Sequence, residues 1–107
     1  LQFLPLKDRL ALLKRIKQAL LPGGILFLSE KVRAEDLMVQ ETTTRIYEDF
    51  KRRQGYSQDE ISRKKEALDN VLIPLTEKQQ VAMLKDAGFT TCEITMKWNN
   101  FTTFVVM

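Results

Sequence analysis

The 107-residue chain has no histidine and one cysteine, Cys92. The first absence removes the commonest general base near neutral pH and the commonest zinc ligand. The second excludes a disulfide within the chain and suits a reducing compartment, so a cytoplasmic setting is expected. No apolar run approaches the ~20 residues that a membrane-spanning helix needs, and no signal peptide is visible. The four glycines form neither G-x-G-x-x-G nor G-x-x-x-x-G-K-[ST], so no phosphate-cradling loop is encoded. Charge of one sign is also scarce. Seventeen basic residues against fourteen acidic ones leave +3, which permits an anionic partner without requiring one. The chain opens at "LQFLPL" without a methionine, and is expected to begin partway through a larger protein.

What is present is ordinary globular composition, 44% hydrophobic and 29% charged, enough for one small domain. Residues 8–21 put Leu10, Leu13, Ile16 and Leu20 on one helical face, with Asp8 as a candidate N-cap. "PGG" at 22–24 stops that helix. Residues 25–28, "ILFL", show no alternation. This predicts a strand buried on both faces, although a short buried helix gives the same pattern. Ser29 and Glu30 then fall at its carboxyl end, where ligand crevices lie in open α/β sheets. A long helical, charged insert follows, about residues 34–70, with Val39, Thr43, Ile46 and Phe50 as its apolar face. "SQDE" at 57–60 and "TEKQ" at 76–79 are capping boxes that open two further helices. From Phe89 the period becomes two. Cys92, Ile94, Met96 and Trp98 alternate with polar residues, and Asn99-Asn100 turns the chain into a last strand. The order helix, strand, helical insert, helix, hairpin describes a single α/β domain over residues 1–107.

Side chains able to carry chemistry are few. Cys92 falls on the apolar side of its strand and reads as core rather than as a reactive thiol. Trp98 reads as packing rather than a platform for bases. Lys51-Arg52-Arg53 and Arg63-Lys64-Lys65 are basic clusters that contact phosphates in some proteins and face solvent in most. Glu30 is either a crevice residue or a surface carboxylate paired with Lys31.

With a helix before it and a hairpin at the end, "LLPGGILFLSEK" resembles the C-terminal half of a Rossmann-like class I S-adenosylmethionine-dependent methyltransferase. The segments "LQFL", "PGG", "LSEK", "DFKRRQGYS", "EISRKKEAL", "NV" and "AGF" are similar, in that order, to the carboxy-S-adenosylmethionine synthase family. The resemblance covers essentially the whole chain. It implies a fifth strand after "PGG", and a final hairpin whose last strand inserts antiparallel between strands five and six. It implies S-adenosyl-L-methionine and prephenate as reactants, and carboxy-S-adenosyl-L-methionine as a product used on the wobble uridine of transfer RNA. The family's glycine loop and ribose-binding acid belong to an N-terminal half that is not in this sequence. An arginine grips the added carboxylate in that family, and the aligned position here is Lys65. The expected site is therefore Lys65 as a cofactor contact, with Glu30 and Lys31 lining the crevice. A homodimer is also expected, because the strand at 25–28 would otherwise leave an edge unpaired. Two alternatives remain: an ordinary methyltransferase acting on a small molecule or RNA, and a non-catalytic basic RNA-contacting or dimerising module.

Overall fold

A computed structural model describes all residues, 1–107. Its elements are α1 (Leu6–Ala19), β1 (Leu26–Lys31), α2 (Leu37–Arg53), α3 (Gln58–Leu68), α4 (Glu77–Asp86), β2 (Cys92–Trp98) and β3 (Phe101–Val106). Helix α1 starts before the expected cap. Pro5 occupies the N-cap position, its carbonyl accepts from Asp8 N at 2.9 Å, and Asp8 lies inside the first turn. There its negative charge favours the helix dipole. Leu13 is fully buried, and Leu10, Ile16 and Leu20 pack beside it. The helix stops as "PGG" predicts. Gly23 adopts φ +78°, a left-handed conformation that glycine takes at little cost.

The three strands form one sheet in the order β1-β3-β2, with β3 antiparallel to both neighbours. The hairpin's return strand therefore lies in the middle, as the resemblance implies. Helices α1 and α4 cover one face. Leu13 and Leu84 from the helices meet Phe104 and Val106 from β3 in the core. Burying each such side chain contributes roughly 1.5–3 kcal/mol.

The opposite face is not covered in the same way, and this corrects the reading of residues 25–28. The strand runs from 26 to 31, so Ser29, Glu30 and Lys31 belong to it. Leu26 and Leu28 pack against the core, but Phe27 is 65% exposed. An unbroken apolar run signals apolar surroundings on both sides, and only one side is supplied by these 107 residues. The outer edge of β1 is also free of a neighbouring strand.

The hairpin departs from simple alternation too. Its turn holds Asn99 at φ +51°, as expected. A bulge between Ile94 and Met96 shifts the register: Ile94 pairs with Phe104, Met96 with Thr103. One extra residue moves everything beyond it to the other face. Cys92 and Ile94 thus pair with the buried Val106 and Phe104, whereas Met96 and Trp98 pair with the half-buried Thr103 and Phe101. Cys92 is half-buried against the core, and burial pushes its thiol upward. That fits a packing role.

Both capping boxes form. Ser57 Oγ accepts from Glu60 N at 3.1 Å, and Thr76 Oγ1 accepts from Gln79 N at 3.2 Å. In each case the third helical residue reaches back to the cap's own N–H. Asp36 caps α2 by accepting from Val39 N at 3.0 Å.

Candidate functional site

Lys31 ends β1, and α2 and α3 cross beside it. Together they enclose a cavity of about 220 Å³ lined by Lys31, Tyr47, Glu48, Lys51, Lys65, Asp69 and apolar residues that include Ile61. Two anchors hold α2 in place over the sheet. Asn99 in the hairpin turn donates from Nδ2 to the Thr43 carbonyl at 2.8 Å. An aromatic cluster joins Tyr47 and Phe50 of α2 to Trp98 and Phe101 of the hairpin, with Phe50 and Trp98 centroids 4.8 Å apart. Helix α3 is anchored by Ile61, which is almost wholly buried.

Three ammonium groups converge here from three elements. Lys31 Nζ is 4.9 Å and Lys51 Nζ 4.4 Å from the centroid of the Tyr47 ring. The electron-rich ring face partly compensates both charges. Lys65 Nζ lies 3.5 Å from Glu48 Oε1. Burial holds Lys31 below the usual lysine range, and Lys51, Lys64 and Lys65 push it further. Burial and Lys64 likewise lower Lys51, with Glu48 opposing them. Burial raises the Tyr47 phenol, so it stays protonated at neutral pH. Neither Lys31 nor Lys51 has a carboxylate within ion-pair distance. Crowded, half-buried cations that outnumber the carboxylates paired with them are relieved by a bound anion.

A second cavity, about 280 Å³, lies on the other side of Val32 and Asn100. Its lysines are already matched: Lys78 pairs with Glu35 at 3.6 Å and Lys97 with Glu77. Its remaining cation, Arg33, is solvent-exposed, so the half-buried positive charge lies in the first cavity.

Of the residues singled out from sequence, Lys31 and Lys65 line the same cavity, whereas Glu30 does not. Strand alternation turns Glu30 to the face opposite Lys31. It is 5% exposed there, with Arg9 as its positive neighbour. Burial raises its carboxyl, and the charge of Arg9 opposes that rise. Ser29 shares the face of Lys31 but does not line the cavity, and its Oγ shares a 2.8 Å hydrogen bond with Thr103 Oγ1. Within the basic clusters, Arg52 is occupied by Asp49 and Gln58. Sequence reasoning missed Tyr47, Glu48 and Lys51 as site residues. The signal was available as a polar stripe at helical spacing: Gln40, Thr44, Tyr47, Glu48 and Lys51 all line the cavity.

No family model matches the chain. Among curated relatives, the carboxy-S-adenosyl-L-methionine synthase of Trichodesmium erythraeum is 55% identical over 105 residues, 98% of this chain and 42% of the relative. The enzyme of that name from Shewanella amazonensis is 48% identical over the whole chain and 44% of its own length. The one from Campylobacter lari is 44% identical over 98% of the chain and 45% of its own length. The chain thus spans under half the length of these relatives. With similarity this high across nearly every residue, the chain belongs to the carboxy-S-adenosyl-L-methionine synthase family, as its C-terminal part.

Proposed function

We propose that the protein to which this chain belongs makes carboxy-S-adenosyl-L-methionine from S-adenosyl-L-methionine, with prephenate as the second reactant. On this reading the product serves wobble-uridine modification of transfer RNA. The observation that carries the proposal is 55% identity to a synthase of that name over 98% of the chain. The strand order β1-β3-β2 supports a Rossmann-like methyltransferase sheet in which these are strands five, seven and six. Exposed Phe27 and Met96 mark the sheet face that the rest of the longer protein, or a second copy of it, would cover. In the basic segment of α2 and α3, Arg52 already has partners, whereas Arg53 and Lys64 are exposed and offer RNA a peripheral contact.

The residues present fit one end of the cofactor. Lys31, Lys51 and Lys65 surround a cavity whose size suits a carboxylate-bearing arm. When bound, the cofactor supplies the reactive sulfonium. Lys65 then orients the carboxylate, and Lys31 and Lys51 compensate its charge. Tyr47 holds those two ammonium groups in position through its ring. Ile61 and Leu72 form an apolar wall on one side of the cavity.

Competition binding of carboxylated and plain cofactor to the full-length protein tests this. Lys65→Ala should lower the preference for the carboxylated form about tenfold, the low end for a charge-assisted contact, since Lys65 is well exposed. Lys65→Arg should keep or sharpen it, because a guanidinium forms a two-pronged pair with a carboxylate. An unchanged ratio in both variants would favour the ordinary methyltransferase, a reading that the exposure of Lys65 supports.

The crowded lysines also set a pH dependence. An anion stabilises charged Lys31, so binding takes up a proton wherever that residue is partly neutral. Affinity for the carboxylated cofactor should be full below the lowered titration point of Lys31 and decline as pH rises through it. Calorimetry at several pH values between about 7 and 10, in buffers of different ionisation heat, reads the uptake directly. A flat profile would mean that Lys31 does not face the anion.

A further inference from the structure

We infer that Glu48 is the resident counter-ion of this pocket and sets its selectivity, holding Lys65 until a ligand carboxylate takes its place. The inference rests on the proposed role of the cavity, and adds to it a specificity-determining residue that opposes the lysines.

Glu48 occupies the middle of the charge cluster. Its Oε1 is 3.5 Å from Lys65 Nζ of α3, and its Oε2 is 3.7 Å from Arg52 one turn along α2. The side chain is only 23% exposed, so its charge is not simply dissipated into solvent. That charge also reaches Lys51, whose ammonium it stabilises. Glu48 therefore acts on two of the three lysines that line the cavity.

A ligand carboxylate at Lys65 must compete with Glu48 for one ammonium. Two carboxylates in one small site repel each other, so binding the ligand carries a cost that the lysines alone would not impose. Arg52 is the feature that makes the exchange possible. It already lies within ion-pair distance, so Glu48 keeps a cationic partner when Lys65 turns to the ligand. The unmodified cofactor behaves in the opposite way. Its sulfonium is positive and it lacks the added carboxylate, so a nearby Glu48 favours it. Glu48 thus narrows the affinity gap between reactant and product, and an enzyme that makes the carboxylated form must release it.

Isothermal titration of both cofactors with the full-length wild type, Glu48→Gln, Lys65→Ala and the double variant tests the inference. Glutamine keeps the shape and removes the charge. Glu48→Gln should tighten the carboxylated cofactor about fivefold, equivalent to ~1 kcal/mol, and should leave the plain cofactor unchanged or weaker. In the Lys65→Ala background the same substitution should lose most of its effect. If Lys65→Ala changes the cofactor ratio but Glu48→Gln does not, Glu48 is a surface carboxylate and the inference fails while the pocket assignment stands. If Lys65→Ala leaves the ratio untouched, the pocket assignment fails and takes the inference with it. A ligand-free readout separates charge from shape. In NMR titrations of isotopically methylated lysines, Lys51 should titrate lower in Glu48→Gln than in wild type, and coincident curves would overturn the electrostatic link.

Discussion

Replacing Arg9 by methionine should lower the unfolding free energy of the full-length protein by about 3–5 kcal/mol. Arg9 is 1% exposed, and each of its hydrogen bonds ends on a backbone carbonyl. Nε donates to Leu4 at 2.9 Å, Nη1 to Ile73 at 2.8 Å and Nη2 to Gln2 at 2.8 Å. The guanidinium thus ties together the segment before α1 and the loop before α4. The tie reaches the pocket as well, because Gln2 Nε2 donates to the Lys31 carbonyl at 2.9 Å. Methionine keeps the apolar stem, leaves the Leu4 and Ile73 carbonyls without a donor, and leaves that of Gln2 with only the Ile73 N–H at 3.2 Å. It also leaves Glu30 without its buried positive neighbour. Lysine should restore little, since one ammonium cannot span three acceptors that are set by a rigid fork. Urea unfolding reads the loss. A change below about 1 kcal/mol would mean that water replaces the guanidinium at these carbonyls.

Phe104→Ala should cost a similar amount, about 3–5 kcal/mol, for a different reason. Phe104 lies in the central strand between Leu28 and Ile94, and none of it is exposed. Its ring fills the space between the sheet and the two covering helices, where Leu13 and Leu84 are equally buried. Alanine leaves a cavity that two helices and two strands would have to collapse to fill. Phe101→Ala is the comparison. It lies three residues earlier on the other face, is half-buried, and belongs to the aromatic cluster under α2. It should cost clearly less in thermal melts of the same protein. Equal losses would contradict the two-faced sheet described above.

The sequence was most legible where one residue decides the backbone locally. Ser57 with Glu60, Thr76 with Gln79, the "PGG" stop and the Asn99-Asn100 turn all depend on neighbours within four positions, and each forms as read. It was least legible where a distant surface decides. The apolar face assigned to α2 included Val39 and Ile46, and both are exposed. The helix instead turns Thr44, Tyr47, Glu48 and Lys51 inward, because it roofs a polar cavity rather than a core. Hydrophobic periodicity finds the side that avoids water, and says nothing when the inner side is charged. The bulge in β2 was invisible for a related reason. An alternating pattern assumes an unbroken ladder, and one extra residue at Thr95 transfers Met96 and Trp98 to the other face. Arg9 was hidden because its partners are backbone carbonyls, which carry no residue identity. Lys31 and Lys65 were found from the resemblance and from their position around the strand end, whereas Glu30 was lost to the simple parity of a strand that runs longer than expected.

Trp98, the sole tryptophan of these 107 residues, lies where the hairpin meets α2, edge-on to both Phe50 and Tyr47. Indole emission responds to nearby water, and this ring is part covered by the very helix that carries Glu48 and Lys51. The chain therefore contains its own optical gauge for the seating of α2. Lifting that helix would wet the indole and move its emission toward the red, whereas unfolding confined to α1 would leave the colour nearly unchanged. Fluorescence of this one residue can follow the roof of the pocket separately from the body beneath it.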